Sequence, residues 1–100
     1  MEIKSEKKDT CLSICVNGRL DTLSSREFMK WTEENLGDDI TDVVIECSDL
    51  TYISSSGLRV LMTIYKKITP KHGKLSLKDL TPQVGEVLNI TGMASLFSIE

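Results

Sequence analysis

The sequence predicts an α/β fold, a mixed and mainly parallel β-sheet covered by helices. Three patterns carry that prediction. Leu12, Ile14 and Val16 alternate with Cys11, Ser13 and Cys15 at the period of two expected of a strand with one face in a core. Val43-Val44-Ile45 is a short continuous apolar run, the pattern of a central strand covered on both faces. Leu58, Leu61, Met62, Tyr65 and Ile68 recur at helical spacing. Strand and helix patterns that alternate along a chain imply a mixed sheet whose helices cover it.

Taken in order, Met1 to Asp9 is charged and alternating and can pair as a hairpin with the strand that begins at Cys11. Asn17-Gly18 is expected to end that strand. Asp21 stands where a helix N-cap belongs, ahead of Leu23, Phe28, Trp31 and Leu36 at imperfect helical spacing, and Gly37 is expected to close that helix. The apolar strand around Val43 to Cys47 follows. The helical stripe from Leu58 stops before Thr69-Pro70, because the residue ahead of a proline is driven out of the helical region. Leu75 and Leu77 alternate with Lys74, Ser76 and Lys78 as a strand, and Thr81-Pro82 opens a helix carrying Val84, Val87 and Leu88 that Thr91-Gly92 stops. Phe97 to Ile99 can form a last strand. The predicted order is β, β, α, β, α, β, α, β, with no linker or repeat.

Composition narrows the function. One hundred residues suffice for one domain with its own core and exclude a two-domain enzyme with a cleft between lobes. The net charge of −3 and the 5% aromatic content argue against a nucleic-acid surface, which needs clustered cations and stacking platforms. No apolar run approaches the roughly 20 residues that cross a bilayer, and the first nine residues lack a signal peptide's apolar core, so no direct membrane insertion and a cytoplasmic location are expected. Cys11, Cys15 and Cys47 are an odd number, which fits reduced thiols. None has zinc-ligand spacing to a histidine or a second cysteine pair, and the single histidine, His72, lies in the turn-like Pro70-Lys71-His72-Gly73. No metal and no cofactor are expected.

In open α/β sheets, functional groups gather where strands end and helices begin. Two segments are predicted there, Gly18-Arg19-Leu20-Asp21 and Asp49 to Gly57. The second contains Ser54-Ser55-Ser56 at the start of the strongest helix. One of Ser54 and Ser55 is expected to cap that helix, which stabilises a fold by about 1 kcal/mol. Three hydroxyls exceed what a cap requires. A phosphate placed there would meet free N–H groups and the positive end of the helix dipole. Its charge of about −1.5 to −2 would change the surface without unfolding the domain.

Asp49-Leu50-Thr51-Tyr52-Ile53-Ser54-Ser55-Ser56-Gly57-Leu58, following an apolar strand, resembles the signature of the STAS family, the sulphate transporter and anti-sigma factor antagonist domains. Val16-Asn17-Gly18-Arg19-Leu20-Asp21 resembles the family's glycine, leucine, aspartate turn, and Thr91-Gly92-Met93 with Leu96-Phe97 its closing segment. The resemblance covers nearly the whole chain and implies a single STAS domain over residues 1–100, of the anti-sigma factor antagonist type. It implies that Ser55 is phosphorylated by an anti-sigma factor that is also a serine kinase, with Ser54 and Ser56 as alternative acceptors. The unphosphorylated domain would bind that partner and release a sigma factor, with a PP2C-type phosphatase as a further partner. Asp21, Ser54, Ser56, Gly57 and Arg59 would contribute to partner contact, and Asp21 can equally serve only as a helix cap. The chain departs from the pattern at Ser54, where members of this type carry an aspartate.

Other functions fit the residues less well. A serine nucleophile elbow needs G-x-S-x-G, and Ile53 stands two residues before Ser55. No G-x-x-x-x-G-K phosphate loop follows a strand. An enzyme is therefore not expected. The alternative within the same fold is a constitutive scaffold, or a subunit associated with a membrane transporter or lipid-transport system.

Overall fold

The computed structural model describes residues 1–100. Two antiparallel strands come first, β1 (Glu2–Lys8) and β2 (Cys11–Leu20), followed by helix α1 (Thr22–Asn35). Strands β3 (Asp42–Glu46) and β4 (Leu50–Ile53) then lead into α2 (Ser55–Ile68). Strand β5 (Leu75–Lys78), helix α3 (Pro82–Thr91) and the short β6 (Ser98–Ile99) complete the chain. The main sheet runs β1-β2-β3-β5-β6, with β4 paired to the far end of β2, and every pairing except β1 with β2 is parallel.

Two predictions are corrected at β2. Asn17-Gly18 does not end the strand. Pairing with β3 ends at Cys15, and Gly18, with φ +101°, a conformation that side chains rarely adopt, opens the pairing with β4. The pairing shifts between Gly18 and Arg19: Leu50 lies opposite Gly18 and Tyr52 opposite Arg19, so Thr51 is the extra residue of a bulge. The second correction is β4 itself, a strand where a turn running from Asp49 to Gly57 was expected.

The core is one contiguous cluster formed by the inner face of the sheet with α1, α2 and α3. Leu12, Ile14, Val16, Val43, Ile45, Leu75 and Leu77 supply the sheet's side of it. The opposite face carries Ser13, Cys15, Val44, Glu46 and Lys78 around an open trough of about 340 Å³. Val44 is only half-buried, so the central strand is covered on one face and not on both. The buried side of α2 is Gly57, Val60, Leu61, Ile64 and Ile68 together with Leu58, which leaves Met62 and Tyr65 at its margin. Tyr65 stands edge-on to Phe97, with ring centroids 5.7 Å apart. Phe28 of α1 and Leu36, the residue that caps its C-terminus, are buried, but Leu23 points to solvent.

Candidate functional site

The parallel pairing of β2 with β4 builds the site. Leu20 and Ile53, the last residues of the two strands, lie opposite each other, and the Ser54 amide donates to the Leu20 carbonyl at 2.8 Å. The next residue on each side is a helix cap, Asp21 for α1 and Ser54 for α2. Two helix N-termini are thereby fixed side by side at one edge of the sheet.

Asp21 accepts a hydrogen bond from the Ser24 amide at 2.9 Å, and its own amide donates to Ser24 Oγ at 3.0 Å, a reciprocal capping box. The Ser24 amide and then its hydroxyl hold the Asp21 carboxyl below the ordinary value of 3.8, with Arg19 adding an attraction of its own. Ser54 caps α2 through the Gly57 amide, which donates to Ser54 Oγ at 3.2 Å. Ser55, the first residue of the helix, is exposed, and Ser56 is half-buried. Gly57 lies beneath the surface expected of it. A Cβ there would come within 2.7 Å of Ile53 Cγ1 and 3.1 Å of Leu20 Cβ, so the residue serves the close seating of α2 on the strand ends and offers no side chain to a partner.

Asp21, Ser54, Ser55, Ser56 and Arg59 thus share one edge of the molecule. A groove of about 360 Å³ runs between α1 and α2, lined by Thr22, Ser25, Arg26, Met29, Ser56, Arg59 and Val60. Sequence reasoning missed four neighbours: Arg19, whose guanidinium sits 4.3 Å above the Tyr52 ring, Tyr52 itself, Leu23 at 67% exposure, and Arg26. One signal was present, since the chain has only three arginines and all three fall within or close after the two turn segments.

The sequence matches the profile of the STAS domain over residues 2–100. The chain belongs to the STAS domain family. Two curated relatives are similar to this STAS domain along almost its whole length, and both are named as anti-sigma factor antagonists. BtrV of Bordetella bronchiseptica, whose name assigns it to that group, is 30% identical over 99 residues, spanning 99% of this chain and 85% of BtrV. The anti-sigma F factor antagonist of Paenibacillus polymyxa is 27% identical over 100 residues, spanning 99% and 86%. In fold, the STAS domain is similar to SpoIIAA, a Bacillus cell-fate determinant. Its unphosphorylated form superposes with a TM-score of 0.86 at 16% identity (99% of this chain, 88% of SpoIIAA). Its phosphorylated form gives 0.77 at 15% (99% and 91%).

His72, left-handed at φ 61°, lies past the far end of α2, a helix length of about 20 Å from the serines. Burial pushes the Cys47 thiol up to about 12. No three His, Cys, Asp or Glu side chains come together as a metal site. No helix is long and apolar enough to cross a membrane.

Proposed function

We propose that this STAS domain is a partner-switching anti-sigma factor antagonist in the cytoplasm, and that Ser55 is its switch. Unphosphorylated, it binds an anti-sigma factor with serine kinase activity, which then gives up its sigma factor. Phosphorylation of Ser55 ends the binding, and a PP2C-type phosphatase restores it. In this reading the domain acts by binding and carries no catalytic residue.

The observation that carries the reading is the division of labour within the serine triplet. Ser54 has its hydroxyl committed to the Gly57 amide and Ser56 is half-buried, whereas Ser55 is exposed at the first position of α2. A kinase needs an accessible hydroxyl, and Ser55 is the one that can be modified without uncapping the helix. A phosphate on it would stand at the positive end of α2, where the fold tolerates it. It would add about −1.5 to −2 charges in the middle of a surface made by Asp21, Ser54, Ser56 and Arg59. A partner shaped to the bare hydroxyl would then meet both bulk and charge. Relatives named as antagonists, and a structural neighbour solved in phosphorylated and unphosphorylated forms, support the same assignment.

The test is to incubate the pure domain with ATP and a soluble extract of its source cells, then locate added phosphate by tandem mass spectrometry. Phosphate on Ser55, absent from the Ser55→Ala variant, is the expected result. An unmodified domain in an extract of demonstrated kinase activity would point instead to a constitutive scaffold or a transporter-associated subunit.

A further inference from the structure

The groove between α1 and α2 gathers cationic and hydroxyl side chains from both helices. Arg26 and Arg59 face it from the two helices, and Thr22 and Ser56 add hydroxyls from the first turn of each. Both helices have 14 residues, so both present the positive end of a full dipole. A second observation is independent of the dipoles. Ser25, also lining the groove, is 2% exposed, and its hydroxyl oxygen has no hydrogen-bond partner within the chain. A buried hydroxyl left unpaired costs about 1–3 kcal/mol, and a ligand oxygen that reached it from the groove would remove that cost.

Charge points the same way. The chain is net acidic at −3, yet all three of its arginines stand at this edge while its remaining cations are lysines. No arginine is ion-paired, for the chain's ion pairs are Lys4 with Glu2 and Lys7 with Asp39. No carboxylate lines the groove, and the nearby Asp21 is engaged by Ser24. Guanidinium forks match the two oxygens of a carboxylate, and unpaired arginines at a partner-binding edge are the groups that anchor one. Leu23, next along α1 from Thr22, adds an exposed apolar side chain at the same end of the helix. That combination fits an acidic side chain carried on a polypeptide.

We infer that the groove is a docking site for a carboxylate on an acidic segment of the protein partner, held by Arg26 and Arg59 with the Ser25 hydroxyl beneath. The inference rests on the proposed function only in taking this edge as the partner-binding one. Ser55 lies outside the groove lining, so the carboxylate anchor and the phosphorylation switch are separate parts of one surface.

The anchor is read without a partner or a kinase, by titrating the isotopically labelled domain with a blocked tetraglutamate peptide at low salt and following amide and arginine side-chain resonances. Shifts should be confined to Thr22, Ser25, Arg26, Ser56, Arg59 and their immediate neighbours, and a blocked tetraglutamine peptide should leave them unmoved. The double variant Arg26→Gln/Arg59→Gln should weaken the peptide by about tenfold or more with an unchanged Tm. Ser25→Ala should weaken it about two- to fivefold without lowering Tm, a pattern a packing role would not give. Shifts scattered over the lysines, or peptide affinity unchanged in the double variant, would overturn the inference. So would inorganic phosphate that reproduces the groove shifts while the peptide does not, since the site would then take a free anion. Absence of phosphate on Ser55 in an extract would leave this result standing, and loss of peptide binding would leave the switch standing.

Discussion

At the scale of single residues, the serine triplet separates a capping hydroxyl from an exposed one. Ser54 satisfies an amide that has no partner inside α2, so Ser54→Ala should cost about 1 kcal/mol of unfolding free energy. Ser55→Ala exposes nothing and breaks no cap, and should stay within about 0.5 kcal/mol of the wild type in urea denaturation. Equal losses in the two variants would contradict the division between them. Asp21 is the acidic counterpart. Its folded pKa is depressed, so the stability it contributes is present above 3.8 and is lost as pH falls through the lower folded value. Asp21→Asn should therefore show a flatter acid limb than the wild type below pH 3.8, read from urea midpoints, with the two curves running parallel near neutrality. Asp39, held down chiefly by Lys7, titrates in the same window but is common to both proteins and cancels in the comparison. The capping role of Asp21 was legible in the sequence because a cap is a local device, an oxygen-bearing side chain one residue ahead of a helix. The burial of Gly57 was not, because it depends on Ile53 and Leu20 arriving from two different strands.

Among the elements, the decisive one is β4, whose strand character the sequence conceals. Leu50 and Ile53 are buried while Thr51 and Tyr52 between them are exposed, a pattern that matches neither the period of a strand nor that of a helix. The cause is the bulge. Thr51 has no residue opposite it in β2, the alternation slips by one, and four residues are too few to show a period in any case. The same locality explains why Asn17-Gly18 reads as a strand end, since the dipeptide marks a bend that only β4 turns into a continuation. Leu23 was misjudged because imperfect helical spacing leaves the core stripe of α1 underdetermined. Gly18 is then the hinge on which the site is set. Gly18→Ala would place a side chain at φ +101°, with Met1 Cα 3.4 Å from the new Cβ, and should cost about 1–3 kcal/mol. The damage should be local first: hydrogen exchange at the Ser54 amide, which donates to Leu20, should quicken more than exchange in β3 or β5. Uniform acceleration across the sheet would mean that β2 and β4 do not act as a separate unit.

For the whole molecule, the proposed switch residue stands outside the packing that holds the fold. The core joins one sheet face to α1, α2 and α3 and buries one side of α2 from Gly57 to Ile68, while Ser55 stands exposed outside it. The edges of the main sheet are guarded by the charged β1 and the two-residue β6, which leaves the helix-start edge as the surface with concentrated arginine and unused hydroxyls. A change of charge at Ser55 can therefore alter binding without touching the interactions that hold the fold. Ser55→Asp tests that separation directly. A carboxylate at the first position of α2 interacts favourably with the helix dipole, by about 0.3–1 kcal/mol, so Tm should hold or rise slightly. Binding of the partner recovered from an extract should fall at least about tenfold, while Ser55→Ala binds as the wild type does. Had the sequence encoded the triplet only as a cap, Ser55→Asp would bind normally; had it encoded a packing position, Tm would fall along with binding. Loss of binding at constant Tm is the signature of a switch mounted on a fold that does not need it.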